Sequence, residues 1–196
     1  MINVIFSEKK FCIFLILIAY LSYCLGFFLD ENSIGSGGYK GDLSWMWKNF
    51  EIFKNNTLFE SIIHKDFFGN RTPLLYLINF LFNPFINDIY LYRLSIFIFS
   101  LFGPIIFYHC LILKFKNTQK ETLMLISSII LLSPFYRTTA YWGMEINYAI
   151  ISMLLTYYFY LKIDFESSKI KYNNLFAIIF FSSLVIYFDQ KFIFIP

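Results

Sequence analysis

The chain has 196 residues, of which 58% are hydrophobic and only 15% are charged, and its formal net charge is +3. This is too little charge to cover the surface of a water-soluble domain of the same length, so a soluble globular protein is excluded. The positive charge is small and scattered, so it gives no indication of nucleic-acid binding. The three cysteines lie in apolar stretches and are interpreted as small buried side chains. We therefore predict an all-α integral membrane protein.

Apolar runs along the chain approach the length needed to cross a bilayer, about 20 residues. They predict a polytopic bundle of about five transmembrane helices, because backbone groups in lipid must be hydrogen-bonded within their own segment. The predicted spans are 11–29, 89–113, 123–135, 148–161 and 175–188. The first run is too long for the apolar part of a signal peptide and is predicted to be a retained helix.

Positive charge in the short connections predicts the orientation in the membrane. Lysines precede the first span and fill the connections from the second to the third and from the fourth to the fifth. They are Lys9, Lys10, Lys114, Lys116, Lys120, Lys162, Lys169 and Lys171. The rule places these lysines and the N-terminus in the cytoplasm, so residues 30–88 form an external loop. The predicted location is the plasma membrane, here a bacterial inner membrane.

The external loop shows helical signals of its own. Apolar residues recur at helical spacing over 43–53, and Asp42 is the predicted N-cap of this helix. Thr57 and Glu60 match a capping box that opens a second, short helix. A third helix is predicted over 74–82. We predict that these are juxtamembrane helices lying in the membrane interface.

A pair of acids, Asp30 and Glu31, follows the first span directly. A carboxylate beside an apolar surface can act as a general base, and charged groups near lipid are functional candidates. The alternative is an acidic stop that keeps the helix end in water. The polar, glycine-rich segment that follows carries Lys40 and Asp42, two candidate substrate-binding residues. Its glycines could let backbone N–H groups approach a phosphate, but the spacing matches no phosphate motif, which favours a flexible connector.

Arginines on the predicted external side are candidates for binding an anionic substrate: Arg71, Arg93 and Arg137. Arg93 lies one turn into the second span, where it either extends its charge to the headgroups or pairs with an anion such as a phosphate. Tyr141 and Glu145, at the entry to the fourth span, are candidates for contacting a sugar. The alternative for this pair is an aromatic belt with an acid at a helix N-terminus.

The sequence does not identify a cofactor, and a divalent metal is the one candidate. His64 and Asp66 flank a lysine in the external loop and could bind such an ion together with Asp30 or Glu31. One histidine with scattered acids is a weak metal-binding pattern, so ordinary loop polarity is the favoured interpretation.

Two segments resemble the C-type-fold (GT-C) integral-membrane glycosyltransferases, in the branch of the protein O-mannosyltransferases and aminoarabinose transferases. Residues 68–76, Phe-Gly-Asn-Arg-Thr-Pro-Leu-Leu-Tyr, continuing to Tyr92-Arg93-Leu94-Ser95, are similar to a Pro-Leu-Tyr-type motif followed by an Arg-Leu-Pro-type motif. Ser95 stands where the family has proline. The order of a first helix, acids, a long external loop with juxtamembrane helices and a second helix is also similar. Residues 133–137 show a weaker similarity to the same family.

The resemblance implies an inverting transfer of a sugar from a polyprenyl-phosphate donor to an acceptor hydroxyl at the outer membrane face. In the family an acid of the first external loop is the catalytic base, and it matches Asp30, with Glu31 adjacent. Members of the family have more helices and a C-terminal domain. We therefore expect 1–196 to be the N-terminal part of a divergent bacterial member, a fragment that can be inactive alone. The implied partners are the lipid-linked donor and membrane lipid.

A different class of function is also considered, a carrier or flippase-like protein that moves a lipid or solute without chemistry. Such a protein would place its polar groups in a central cavity at mid-depth. Here the polar groups gather near the predicted outer interface, which favours the transferase.

Overall fold

The computed structural model describes residues 8–32, 38–67, 73–163 and 172–189, and every regular element in these ranges is helical. The elements are α1 (Glu8–Phe28), α2 (Gly38–Asn55), α3 (Leu58–Ile62), α4 (Leu74–Phe82), α5 (Ile89–Ser100), α6 (Phe102–Lys114), α7 (Lys120–Ser128), a 3-10 helix (Ile129–Leu132), α8 (Pro134–Tyr141), α9 (Ile146–Leu161) and α10 (Tyr172–Phe188). The predicted all-α fold is confirmed.

Two helices are long and apolar enough to cross a membrane, α1 with 21 residues and the joined α5 and α6 with 26 residues. A third crossing is formed if α7, the 3-10 helix and α8 count as one span, although the chain bends there by 64°. The helices α9 and α10 are apolar but shorter, with 16 and 17 residues. The structure therefore has two or three candidate spans, and the predicted total of about five is not confirmed.

Side-chain contacts show how the long helices run relative to one another. Lys9 of α1 and Glu121 of α7 form an ion pair of 2.6 Å near the starts of their helices, so α1 and α7 begin at the same end. Arg93, near the start of α5, contacts Asp30 just after α1, so α5 runs in the opposite direction. We call the end of the bundle where α1 ends and α5 begins the Asp30 end. The lysines at the starts of α1 and α7 lie at the other end.

The last two helices pack against each other in opposite directions. The rings of Tyr148 and Phe188, at the start of α9 and the end of α10, stack at 5.1 Å, and those of Phe159, near the end of α9, and Phe181 stack at 5.8 Å. The Cys110 thiol donates to the Leu154 carbonyl at 3.6 Å, which joins α6 to α9.

The helix α2 buries its apolar face against the protein. Its buried side chains are Tyr39, Leu43, Met46, Asn49, Phe50 and Phe53. The prediction of an amphipathic helix is confirmed, but the partner of its apolar face is α4 and the bundle, not lipid. Trp45 is 54% exposed, whereas Trp47 packs edge-to-face against Phe50 with the ring centroids 5.7 Å apart.

Near the Asp30 end, one local prediction is wrong and one helix was not predicted. The helix α2 begins at Gly38 with φ of 46°, so Asp42 lies inside the helix and is not its N-cap. Residues 137–141 lie between the predicted spans 123–135 and 148–161 and belong to α8, which begins at Pro134 with the Ser133 side chain as its N-cap. Ser133 accepts a hydrogen bond from the Tyr136 amide, and proline suits the first turn because its nitrogen needs no acceptor there.

The capping box of α3 is present as predicted. The Glu60 amide donates to the Thr57 hydroxyl, and the Thr57 amide donates to the Glu60 carboxylate. The Thr57 hydroxyl also donates to the Glu60 carboxylate at 2.7 Å, and this bond, together with the one from the Thr57 amide, lowers the pKa of the Glu60 carboxyl.

Removing the hydroxyl in Thr57→Ala should destabilise α3 locally by about 1 kcal/mol, as is usual for a lost N-cap. Faster hydrogen exchange over 58–62 would report the loss, with Ser44→Ala on α2 as the control.

The stability of α3 should also depend on pH. Because folding lowers the pKa of Glu60, the stabilisation of α3 by this carboxylate is present above its unfolded pKa and is lost as the pH falls through its folded pKa. Protection of α3 that does not decrease in acid would contradict this.

Candidate functional site

The acid pair lies on a tight turn that ends α1. The Glu31 amide donates to the Gly26 carbonyl at 2.9 Å and the Asp30 amide to the Phe27 carbonyl at 3.2 Å, which is a Schellman motif. Asp30 occupies the left-handed position of this motif, with φ of 53°. Aspartate tolerates this conformation better than most residues other than glycine. The turn sends the two neighbouring carboxylates into different surroundings.

Asp30 forms an ion pair with Arg93, whose Nη2 lies 2.5 Å from Asp30 Oδ1. The arginine side chain is 10% exposed, whereas that of the aspartate is 58% exposed. Asp88 caps the start of α5 by accepting from the Leu91 amide, and this fixes Arg93 just over one turn into the helix. The carboxylate is therefore held at one oxygen and remains open to solvent.

Arg93 is further fixed by α8 and the residue that follows it. Its Nε donates to the Tyr141 carbonyl at 2.8 Å, and its guanidinium lies 4.0 Å from the centroid of the Trp142 ring. The third nitrogen, Nη1, has no hydrogen-bond partner among the described residues. A buried, stacked arginine with one unpaired nitrogen can bind an anion with little loss of side-chain freedom.

Asp30 and Arg93 line one cavity of about 300 Å³ at the Asp30 end, which we call the Asp30 cavity. Lys40 of α2 also lines it, with Nζ 5.8 Å from the centroid of the Trp142 ring. The remaining lining residues are Leu43, Ser44, Ile89, Tyr90 and Trp142. Three residues that sequence analysis proposed as site residues thus meet at one open cavity, with two cations and one carboxylate.

Glu31 forms a separate ion pair with Arg137, at 2.5 Å between Oε2 and Nη2. Arg137 also donates from Nη1 to the Ser22 hydroxyl at 2.9 Å and from Nη2 to the Ser22 carbonyl at 3.0 Å. Gly26 makes room for the pair, because a Cβ there would lie 2.5 Å from Glu31 Oε2. The Glu31 carboxylate therefore lies against α1 and not in the Asp30 cavity.

Trp142 connects the two ion pairs. Its indole Nε1 donates to the Glu31 carbonyl at 3.0 Å, and its ring covers the guanidinium of Arg93. From the sequence, this tryptophan belongs to the aromatic segment at the entry to the fourth predicted span, for which a sugar contact and an aromatic belt were the two interpretations. No local pattern shows that a buried tryptophan will contact both the turn after α1 and Arg93 of α5; the one signal is its position between Tyr141 and Gly143, which has a positive φ.

The remaining candidates lie apart from the Asp30 cavity. Tyr141 is fully buried, and its hydroxyl donates to the Tyr23 carbonyl, so it packs α8 on α1. Glu145 lies at the N-cap of α9 without a side-chain capping bond. Asp42 is half-buried in α2, and Arg71 lies outside the described residues.

The weak metal candidates lie between α3 and α4. His64 Nδ1 and Asp66 Oδ2 are 3.9 Å apart, an exposed pair. Within the described ranges, no cluster of three or more histidine, cysteine or acidic side chains could hold a metal ion.

Comparison with known proteins found no matching family, no matching curated protein and no matching solved structure.

Trp142→Phe should lower the free energy of unfolding by about 1 kcal/mol, because phenylalanine keeps the ring but loses the buried hydrogen bond to the Glu31 carbonyl. Reversible unfolding in micelles would measure it. Trp45→Phe on the exposed face of α2 is the matched control and should change stability little. Equal effects at the two positions would contradict the assigned role of Trp142.

Proposed function

We propose that the protein transfers a sugar from a polyprenyl-phosphate donor to an acceptor hydroxyl, at the outer face of a bacterial inner membrane. The observation that carries this proposal is the open Asp30 carboxylate beside Arg93 and Lys40, in one cavity at the end of a candidate span. The resemblance of the segments around Arg71 and Arg93 to the C-type-fold glycosyltransferases supports the same reaction.

In the proposed reaction, Asp30 takes the proton of the acceptor hydroxyl. The hydroxyl oxygen attacks the anomeric carbon from the face opposite the phosphate, and the bond from that carbon to the phosphate oxygen breaks. The electron pair leaves with the polyprenyl phosphate, so the configuration is inverted. Arg93 and Lys40 stabilise the charge that builds on the leaving phosphate.

Arg93 suits this role because its guanidinium is already oriented. Trp142 and the Tyr141 carbonyl hold its plane, so its remaining donor is positioned before the substrate arrives. Lys40 adds a second cation on an exposed side chain. The donor's lipid tail lies against the neighbouring apolar helices.

The carrier hypothesis is less well supported by this geometry. The ion pairs lie where α1 ends, whereas a carrier would place its polar groups near the middle of the bundle. At the Asp30 cavity, the lining residues from the candidate spans lie at helix ends: Ile89, Tyr90 and Arg93 are in the first turns of α5, and Asp30 follows α1.

Binding of a phosphate lipid tests the first step of the proposal. The probe is a short-chain isoprenyl phosphate, titrated against the full chain in lipid nanodiscs, with the corresponding uncharged isoprenol as the ligand control. Lys40→Gln should weaken binding about fivefold to tenfold, since a charge-assisted contact is lost. Lys48→Gln, eight residues later on α2 and stacked on Trp45 at 4.4 Å, is the matched control. Equal binding of the phosphate and the alcohol would contradict the proposal.

A further inference from the structure

A second cavity of about 510 Å³ lies along α1 on the other side of the acid pair. Its apolar wall consists of Ile18, Leu21, Leu25 and Leu29, and these side chains are between 45% and 76% exposed. At 1.5 Å per residue the wall is about 16 Å long, close to the depth of one leaflet of a bilayer about 30 Å thick. We call it the α1 groove.

Both signs of charge lie at the polar end of the α1 groove. Glu31 and Arg137 line it together with Ser22 and Gly26. The Glu31 side chain folds back along α1, since a Cβ on Gly26 would lie 2.5 Å from its Oε2 and 2.6 Å from Arg137 Nη2. The ion pair therefore lies about one turn inside the end of the helix, where uncompensated charge is costly.

The ion pair is not saturated by the protein. The side chain of Glu31 is 34% exposed beside the groove. Both N–H groups of Arg137 Nη2 are used, on the Ser22 carbonyl and the Glu31 carboxylate, whereas Nη1 uses one of its two N–H groups, on the Ser22 hydroxyl. A ligand with an acceptor for the guanidinium and a donor for the carboxylate would complete both groups.

We propose that the α1 groove binds one phospholipid with a primary-amine headgroup. Its phosphate accepts from Arg137, its ammonium donates to Glu31, and one acyl chain lies along Leu21 and Leu25. The pair has no net charge, so a purely anionic headgroup leaves Glu31 uncompensated. A quaternary ammonium headgroup lacks the N–H donors that a carboxylate binds most strongly. This inference does not rest on the proposed transfer reaction.

Lipid selectivity tests the proposal. Phosphatidylethanolamine, phosphatidylcholine and phosphatidylglycerol with identical acyl chains are titrated against the full chain in micelles, and bound lipid is counted by native mass spectrometry. We expect phosphatidylethanolamine to bind about tenfold more tightly than the other two, the gain of one charge-assisted contact. Glu31→Gln should remove this preference, and Asp30→Asn should keep it.

A second variant tests the groove independently of Glu31→Gln, so that a folding defect in that variant does not decide the result. Leu25→Trp fills the groove without changing the ion pair and should weaken binding of all three lipids alike. Equal binding of the three lipids to the unmodified chain would overturn the proposal, and so would a preference that survives Glu31→Gln. A stable dimer that excludes lipid would also overturn it, because the groove would then be an interface between two copies. Loss of transfer in Asp30→Asn with intact lipid preference would separate the two sites.

Discussion

Asp30→Asn should lower the rate of sugar transfer by at least about 100-fold, because a positioned general base typically contributes a factor of about 10² to 10⁴. The change removes the proton acceptor but keeps the shape of the side chain. Asparagine also tolerates the left-handed conformation at this position, where φ is 53°. The amide oxygen can still accept from Arg93, so the turn should remain folded.

The assay for this prediction is release of labelled sugar from a polyprenyl-phosphate donor, measured for the full chain in nanodiscs. Glu51→Gln on α2 removes an equivalent charge, in an exposed pair with Lys54 at 2.8 Å, and is the matched control. Glu31→Gln should reduce transfer less than Asp30→Asn, since its carboxylate does not line the Asp30 cavity. Normal activity in Asp30→Asn would exclude Asp30 as the base.

Gly26→Ala should destabilise the protein by about 1–3 kcal/mol, the usual cost of overpacking a filled site. The added Cβ would lie 2.6 Å from Arg137 Nη2 and 2.7 Å from the Tyr141 hydroxyl, so both the ion pair and the contact of α8 with α1 must shift. The shift should also disturb Trp142, because its indole donates to the Glu31 carbonyl. Reversible unfolding in micelles measures the change.

Gly41→Ala on α2 is the control for Gly26→Ala. No atom lies within 4 Å of a Cβ at Gly41, so alanine should be neutral or stabilise the helix by up to about 1 kcal/mol. A Gly26→Ala variant as stable as the Gly41→Ala variant would mean that the Glu31–Arg137 pair is not packed against α1 as described.

Local signals in the sequence predicted the short helices well. The bounds of α4 follow from Pro73 before it and Asn83 after it, and α3 follows from its capping box. The buried face of α2 follows from the spacing of its apolar residues. Its start was missed because Gly38 has a positive φ, and nothing in a glycine-rich segment shows which glycine will begin the helix.

The helix α8 was missed because its residues are polar at a position where a loop was expected. Its threonine hydroxyls form hydrogen bonds within the helix: Thr138 donates to the Pro134 carbonyl and Thr139 to the Phe135 carbonyl. Such bonds make a polar segment compatible with burial, but the sequence alone does not show that they form.

One contact of the candidate site could be predicted from the sequence. Because α5 returns from the end at which α1 stops, a meeting of Asp30 and Arg93 follows from two antiparallel spans. The second pair, Glu31 with Arg137, depends on the 64° bend before α8, and no local pattern determines that angle. The separation of the two acids into different cavities depends on the left-handed turn at Asp30. The glycosyltransferase assignment and the predicted roles of the site residues stay predictions.

The most direct test of the central claim follows the sugar and the lipid of one donor separately. The full chain in nanodiscs receives a polyprenyl-phosphate sugar labelled differently in the sugar and in the isoprenyl chain, together with a hydroxyl acceptor. We expect the sugar label to move to the acceptor with inverted configuration, while free polyprenyl phosphate accumulates in equal amount. A donor that is bound or moved across the bilayer but stays intact would contradict the transferase and favour a carrier.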